Sequence, residues 1–467
     1  KQDQEKQLLQ AIYDRLFSAV TYQPKGDFDN PFSEKETFIH FSKNASVNPK
    51  SFENALTPEN PLGDLKASEA FSRMVDMVSP FTLEWENTSK QLSGTYENIV
   101  NGANSKKEPD PEAEEQYKEA LDFLTVTKEE TFMKKTSIVT VDSEPYANYK
   151  KNMNKYTNAI LAYRASYNLY LDELESNDPD VKKRADRNWQ AKAPLLENNI
   201  QMAYDELSAG NGRYVEQALN ILNTSINDSV KSFLVSARDA VDKKHKLASS
   251  LGAAGNDWLL SYPSPSNWTS PDSLDFTELK ISGGCTDIRS ESSKHTFSMD
   301  TSLNYGLWKV KASSECSFEH SSSSADKDSV EISAKIAKVS IVRPWFMESL
   351  FGVDNWTTNA VNPPRKISNG MVDSSNKDNL LPMYPVAFIV AKDIKIKANF
   401  SHEEEEHMKK AIKAGASVGW GPFSIGGSYG YGKTEDKFHS DFQNGEIKVP
   451  GMQIIAWISR VILDSPR

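Results

Sequence analysis

Residues 330–342 read "VEISAKIAKVSIV". Apolar side chains occupy every second position from Val330 through Ile332 to Ile336, and the alternation continues one position out of phase at Val339 and Ile341. A period of two residues places apolar side chains on one face of a β-strand. The stretch therefore predicts a strand with one buried face, and the change of phase predicts a β-bulge.

An earlier segment repeats this pattern. Apolar residues alternate from residue 297 to residue 318, again with one change of phase near Trp308, and the polar run "HSSSSADKDS" at 320–329 separates the two segments. Facing bulges would keep two such strands in register. We therefore predict one long hairpin over residues 297–342, in which each arm is about twenty residues, or roughly 65 Å, long.

The remainder of the second half continues the β pattern. "VAFIVAKDIKIKANF" (386–400), "AIKAGASVGW" (411–420) and "FSIGGSYGYGK" (423–433) predict further strands, and "GMQIIAWISRVIL" (451–463) predicts a closing strand. Residues 344–385 are rich in proline and are predicted to be an irregular insertion. Residues 274–467 thus form a predicted antiparallel β domain of six or seven strands.

The first half has a different period. From Tyr149 to Leu174 apolar residues recur at alternating spacings of four and three, which is a heptad pattern. Similar patterns run through 71–99, interrupted by Pro80, and through 215–237, and shorter helices are predicted near 8–17 and within 178–207. Residues 22–63 are predicted to wrap these helices as an irregular segment, and the Gly-, Pro- and Ser-containing interval 252–273 is predicted to be a linker.

Together these patterns predict an α+β multidomain protein. Residues 1–251 form an N-terminal all-α antiparallel helical bundle, and a C-terminal antiparallel β domain with long hairpins follows. The 467 residues carry a net charge of −11, and the acidic excess lies in the first half. Because phosphate contacts need clustered Lys and Arg, this balance argues against nucleic acid as a partner.

Two motifs resemble sites of known chemistry. Gly427 with Gly432, Lys433 and Thr434 spells G-x-x-x-x-G-K-T, but the residues that follow, "EDKFHSDFQNGE", do not predict the helix on which a phosphate loop depends. We therefore predict no nucleotide site. In "HEEEEH" the two histidines, His402 and His407, are five residues apart, which misses the spacing of zinc proteases.

We predict a charged turn for "HEEEEH", and no metal or other cofactor. A further hypothesis is that its like charges keep a strand edge apart until acid pH neutralises some of them. Cys285 and Cys316 could form one bridge or remain two buried thiols, since spacing alone does not decide between them. We find no group of residues in a catalytic spacing, so the protein is predicted not to be an enzyme.

Two functions remain open from the sequence. Each arm of the predicted hairpin satisfies the nine to eleven alternating residues, apolar toward lipid and polar toward water, of a membrane-spanning β-strand. In outline the layout resembles pore-forming proteins that combine a helical part with an insertable hairpin, which implies a chain that oligomerises and inserts residues 297–342 into a membrane. The apolar residues that would face lipid are Met299, Leu303, Tyr305, Leu307, Trp308, Val310, Val330, Ile332, Ile336, Val339 and Ile341.

The alternative is a non-enzymatic binding or structural protein that acts through the helical bundle or a sheet edge. In that case the alternating strands pack in an ordinary sandwich. The predicted partners are a membrane lipid or a protein receptor, with self-association as a further option. The first residues, "KQDQEKQLLQ", contain no apolar core of a signal peptide, so the sequence predicts a soluble chain and leaves its localisation open, secretion included.

Overall fold

The computed structural model describes residues 2–26, 29–43, 46–57, 60–108, 110–132, 135–225, 227–249, 255–270, 272–282, 306–312, 319–431 and 436–467. Over these residues the chain has a helix-rich first half and an antiparallel β second half, which confirms the predicted α+β class. The helices are α1 Gln2–Thr21, α2 Leu65–Met74, α3 Leu92–Asn101, α4 Pro111–Leu124, α5 Glu144–Leu174, α6 Pro179–Ser208, α7 Gly212–Ser225, α8 Val230–Asp239 and α9 His402–Lys413.

The strands of the first half and of the central segment are short, apart from one hairpin. They are β1 Thr37–Phe41, β2 Ala103–Ser105, β3 Thr125–Phe132, β4 Lys135–Asp142, β5 Lys246–Leu247, β6 Trp258–Leu259, β7 Tyr262–Ser264 and β8 Thr277–Ser282. The later strands are β9 Trp308–Lys311, β10 Glu319–Ser321, β11 Glu331–Val342, β12 Trp356–Thr358, β13 Met383–Lys397, β14 Ser417–Trp420, β15 Phe423–Ser428, β16 Lys437–His439, β17 Asp441–Gln443 and β18 Glu446–Val461.

Two sheets carry most of these strands. The larger sheet has the order β1-β18-β13-β11-β7, and β17 and β8 add to β18 and β11. The smaller sheet has the order β10-β9-β14-β15-β16. Trp308, Trp420 and Ile425 of the smaller sheet share one apolar core with Ile336 and Ile389 of the larger sheet. The two sheets therefore pack face to face, and α1 contributes side chains to the same core.

The predicted hairpin over 297–342 is wrong in its pairing. Among the described residues, β9 pairs with β10 and β14 in the smaller sheet, whereas β11 pairs with β13, β7 and β8 in the larger sheet. The two segments face each other across the core instead of lying edge to edge. Alternation signals that one face of a strand is buried, but it does not say which strand lies beside it.

The change of phase in β11 has a different cause from the predicted bulge. Ile332 and Ile336 face the core between the sheets, while Val339 and Ile341 belong to a second core on the other face, under α2 and Trp268. No bulge is needed at 336–337, because successive residues of a strand point to opposite faces. The first core covers one face near Ile336, and the second core covers the other face near Val339. At the far end of the first face Lys338 lies against α5, where its ammonium donates to Asn154 Oδ1 at 2.9 Å.

Several helical predictions are confirmed and others need correction. Helices α1, α5 and α6 coincide with predicted segments. The pattern over 71–99 is divided between α2 and α3, and the pattern over 215–237 between α7 and α8. The segment "HEEEEH" begins α9 and is not a turn, because Ser401 accepts a hydrogen bond from the Glu404 N–H and caps that helix.

Two segments predicted to be irregular contribute strands to the larger sheet. Within 22–63, β1 pairs with β18, and within the predicted linker 252–273, β7 pairs with β11. Short strands of this kind carry too few residues to show a period. Residues of the first half are thus hydrogen-bonded into the sheet of the second half.

Residues 111–239 form a group of helices that we call the helical arm. It comprises α4 to α8 and the hairpin of β3 and β4, whose strands pair with each other from Thr125 and Asp142 to Phe132 and Lys135. Within it α5 and α6 pack through a row of rings in which Trp189 lies 5.3 Å from Tyr170 and 5.6 Å from Tyr163, measured between ring centroids. The hydroxyl of Tyr170 donates to Asp186 at 2.7 Å.

Candidate functional site

The residues predicted to insert into a membrane lie in the interior wherever the structure describes them. Met299, Leu303 and Tyr305 fall outside the described residues. The core between the sheets contains Leu307, Trp308, Val330, Ile332 and Ile336, and half-buried Val310 packs against it. The core beneath α2 contains Val339 and Ile341. Over the described residues, the fold therefore covers most of the apolar stripe that the sequence predicted to face lipid.

Two carboxylates hold the chain on either side of β9 and β10. The Glu404 carboxylate, in the first turn of α9, accepts hydrogen bonds from the Ser324 N–H at 3.0 Å, from the Ser323 hydroxyl at 2.9 Å and from the indole N–H of Trp308. Glu5 of α1 accepts from the backbone N–H groups of Leu307 and Ser323. Hydrogen bonds to a charged acceptor are stronger than neutral ones, so these contacts fix the smaller sheet to both helices.

A buried ion cluster lies behind the same strands. Glu84 is 3.8 Å from the Lys309 ammonium of β9, 3.6 Å from His320 Nε2 of β10 and 3.1 Å from Lys43. Burial alone would raise the pKa of the Glu84 carboxyl, but the contact with His320 and the charges of Lys309 and Lys43 lower that pKa to about 2. Burial lowers the pKa of Lys309 despite its carboxylate partner.

These groups do not favour release of the strands at mildly acid pH. The contact with Glu84 raises the pKa of His320 above its usual 6.5, so the stability that it contributes is complete below that pH. Burial also raises the pKa of Glu5, which means that the folded state holds this proton more tightly. Glu84 loses its charge only as the pH falls toward 2. The cluster therefore favours the folded arrangement between neutral pH and about pH 4.

The stretch that resembles a phosphate loop lies at the end of β15. Gly427 is described, whereas residues 432–434 of the motif lie outside the described residues. Strand β15 pairs antiparallel with β14 and with β16, and β16 begins at Lys437. A phosphate loop connects a parallel strand to a helix. The fold around Gly427 therefore differs from the setting that this motif requires.

The helical arm carries most of the exposed apolar surface. Of the eleven large apolar side chains that are exposed in the described residues, eight belong to the arm. They are Phe123, Val126, Ile138, Leu195, Met202, Tyr214, Ile221 and Val235. Only Ala185, Ile200 and Leu207 are buried among the described residues of α6, although this helix is 30 residues long. Single exposed apolar side chains are ordinary, whereas those that share one face of an element mark an interaction surface.

One face of α6 combines this apolar surface with complementary charges. Leu195 and Met202 are 65% and 58% exposed, and they are seven residues apart. Arg184 lies eleven residues before Leu195, and Glu206 lies eleven residues after it, so at 3.6 residues per turn all four lie along one face. Five Lys and Arg residues and two Asp lie in the first half of α6, whereas the second half has three acidic and no basic residues.

Neither Leu195 nor Met202 was singled out from the sequence. The apolar spacing predicts the α6 helix and its stripe through Ile200 and Leu207, which packs on α5, but it does not single out the stripe beside it. The available signal was the spacing of seven between Leu195 and Met202, next to that first stripe.

The described part of the chain shows neither a membrane-spanning helix nor a metal site. No helix there combines the length and the apolar character that crossing a bilayer requires. No group of three or more His, Cys, Asp or Glu side chains there is placed so that it could hold a metal ion. Cys285 and Cys316 are outside the described residues.

Comparison with known proteins gives no relative. The chain matches no protein-family model, no curated protein and no solved structure.

Proposed function

We propose that the protein is a non-enzymatic binding protein that assembles through its helical arm, and that the first partner of this surface is a second copy of the chain. The observation that carries the proposal is the exposed face of α6, with Leu195 near the middle of the helix and opposite charges at its two ends. Apolar residues at heptad spacing on an uncovered helix are typical of helix-to-helix association.

The order of the charges selects the second copy as the partner. If two α6 helices lie antiparallel with a twofold axis near Leu195, Arg184 of each copy comes opposite Glu206 of the other. Both side chains are exposed, and the present partner of Glu206 is Lys155 on the surface of α5, at 2.8 Å. An exposed pair of this kind contributes little, so Glu206 can change partner at low cost. The matched face extends over about 33 Å from residue 184 to residue 206.

Light scattering coupled to size exclusion tests this assembly. We expect the wild-type chain to be dimeric with a dissociation constant of about 10 µM. Leu195→Asp with Met202→Asp places charges in the apolar centre of the interface and makes the chain monomeric. Leu62→Asp is the matched control, since Leu62 is 93% exposed outside the arm and its replacement leaves the dimer unchanged.

A charge exchange makes the test specific for the antiparallel arrangement. Arg184→Glu alone or Glu206→Arg alone places like charges opposite each other and weakens the dimer roughly tenfold. The double variant Arg184→Glu/Glu206→Arg restores the pairing. A monomeric wild-type chain at about 100 µM, or a double variant as weak as the single ones, would refute the proposal.

Membrane activity is a second candidate function. It is favoured by the fact that the apolar faces of β9 and β11 line one core, so separation of the two sheets would expose both stripes at once. Against it stands the cost of removing β11, which has strand neighbours on both sides. Dye release from liposomes at about pH 5 and about pH 7 tests this function, because an absence of leakage from anionic and neutral lipid alike counts against it.

A further inference from the structure

An open cleft lies on the part of the molecule that contains the two sheets, which we call the β part, and none of its lining residues belongs to the helical arm. It has a volume of about 600 Å³ and is lined by residues throughout the 73–91 segment, by Lys43, by Lys311 at the end of β9, and by Gly430 and Tyr431. At Arg73, Met74 and Tyr431 it continues into a second depression of about 810 Å³ beside the first turn of α2. Volumes of this size are typical of binding sites for small ligands.

Aromatic rings form the floor of the first depression. Trp85 stacks on Trp457 with ring centroids 4.8 Å apart and planes 15° apart, and Tyr431 meets the same Trp457 edge-on at 6.0 Å. Trp457 covers one face of the Trp85 indole, and the buried His40 ring also contacts Trp85, with ring centroids 5.2 Å apart. Trp85 is half-buried, so a ligand in the cleft meets the part of the indole that these two rings leave exposed. The sulfur-containing side chains Met74 and Met77 complete the apolar part of the lining.

The backbone fixes both rings before any ligand arrives. The Trp85 N–H donates to the carbonyl oxygen of Phe41 at 2.7 Å, which ties the 73–91 segment to the end of β1. The Tyr431 N–H donates to the Ser46 carbonyl oxygen at 3.2 Å. A floor that is already ordered loses little conformational entropy on binding.

Cations surround this floor. Lys43 and Arg73 are paired with carboxylates, whereas Lys50, Lys66 and Lys90 are exposed and make no ion pair with a described residue. The acidic side chains that line the cleft are mostly engaged locally: Asp64 caps α2, and Asp76 accepts two hydrogen bonds from Ser93. With exposed Glu53 included, six Lys or Arg residues and three Asp or Glu residues line the two depressions. Basic side chains thus outnumber acidic ones around this cleft of an acidic protein, which attracts anions.

The rest of the lining can recognise hydroxyl groups. The side-chain amides of Asn54, Asn87 and Gln91 and the hydroxyls of Ser51 and Ser89 lie along both depressions. Asn54 and Ser89 have positive φ angles of 54° and 56°. Residues other than glycine seldom adopt this conformation, and such strain is concentrated at functional sites.

We propose that this cleft binds an acidic oligosaccharide, a chain of sugar rings that carries carboxylate or sulfate groups. The C–H face of a sugar ring packs on Trp85, its hydroxyl groups pair with the amides, and its anionic groups reach Lys50, Lys66 and Lys90. An acidic peptide would use the lysines, but it needs apolar pockets for alternate side chains to gain specificity. The mostly polar walls of this cleft favour the sugar.

Calorimetric titration of the full chain tests the proposal with three probes. A heparin hexasaccharide supplies uronate and sulfate groups, neutral cellohexaose supplies rings without charge, and a glutamate hexapeptide supplies charge without rings. We expect the heparin hexasaccharide to bind at least ten times more tightly than either of the other probes, and to weaken as salt screens the lysines.

Variants separate the cleft from general attraction to anions. Lys66→Ala/Lys90→Ala weakens binding of the heparin hexasaccharide about tenfold, as expected for the loss of two exposed charge contacts. Lys182→Ala/Lys395→Ala removes two exposed lysines elsewhere and leaves the affinity unchanged. Equal losses in the two double variants, equal affinity for the glutamate hexapeptide, or no binding of the heparin hexasaccharide would each overturn the proposal.

Discussion

Strand β11 and helix α6 show how differently the two parts of this chain use apolar residues. Both faces of β11 are covered, the first by the smaller sheet and α5 and the second by α2. Helix α6 has more than twice as many residues, and it buries one narrow stripe while Leu195 and Met202 remain in solvent. The periodic apolar residues of β11 are therefore buried in cores on both faces, whereas some of those of α6 remain exposed to solvent.

The polar groups differ in the same way. Around β9 and β10, Glu5, Glu84 and Glu404 are engaged by backbone N–H groups, hydroxyls or buried cations. On α6 the charged side chains other than half-buried Asp186 are exposed, and ion pairs such as Glu206 with Lys155 lie at the surface. The β part is therefore expected to respond strongly to single changes, and the arm to tolerate them until a partner is present.

The largest expected difference between the two regions concerns an apolar side chain. Trp308→Ala removes a fully buried ring of the sandwich core and is expected to lower the free energy of unfolding by about 4 kcal/mol. Leu195→Ala on the arm is the matched change and is expected to alter it by less than about 0.5 kcal/mol. Urea denaturation of both variants measures the contrast. Similar losses of unfolding free energy in the two variants would mean that α6 is covered in the monomer. In that case β11 and α6 would not differ in the way described above.

A smaller difference is expected for the charges. Glu84→Gln leaves the buried Lys309 ammonium without its carboxylate, and we expect a loss of about 3 kcal/mol. Glu206→Gln removes the exposed pair with Lys155, and we expect less than about 1 kcal/mol. The double variant Glu84→Gln/Lys309→Met should recover part of the first loss, because the unpaired charge is removed as well. If it recovers nothing, Glu84 acts through another contact.

Long periodic segments could be predicted from the sequence because their signal is local. Helices α5 and α6 extend over about eight turns each, and β13 and β18 are fifteen and sixteen residues long. The capping signal of α9 was also present: Ser401 precedes Glu404 by three residues, and Met408 and Ile412 follow at a spacing of four. Its four glutamates led to the wrong prediction of a turn, although acidic residues favour the first turn of a helix.

The partners of each strand could not be predicted, because they depend on residues far away in the chain. Nothing in "VEISAKIAKVSIV" indicates that β13 and β8 lie beside it while β9 lies across the core. The cleft is inaccessible to sequence reasoning for the same reason, since Trp85 and Tyr431 are brought together by Trp457 and by backbone contacts to residues 41 and 46. The face of α6 was accessible, since it depends on spacing within one helix.

The smallest expected effect is a dependence of the free energy of unfolding on pH, and it arises in the β part alone. All seven histidines lie outside residues 111–239, so the arm has no side chain of this kind that titrates between pH 6 and 9. Burial lowers the pKa of His40 to about 3, so that side chain stays neutral in this range. His320 is the histidine of the ion cluster, with its ring nitrogens facing the Glu84 carboxylate and the Gly306 carbonyl oxygen, and with the Lys309 charge nearby.

The pKa of His320 is higher in the folded than in the unfolded chain. Its contribution to the free energy of unfolding is therefore fully present below pH 6.5 and is lost as the pH rises through the higher folded pKa. We expect the free energy of unfolding of the wild-type chain to fall by about 1 kcal/mol relative to His320→Gln between pH 6 and pH 9. His407→Gln, at an exposed position of α9, should keep the wild-type slope. Urea denaturation across this range measures all three slopes. If the free energy of unfolding of His320→Gln varies with pH as that of the wild type does, the ion cluster does not stabilise the position of β10. The β part would then be as insensitive to its charges as the arm.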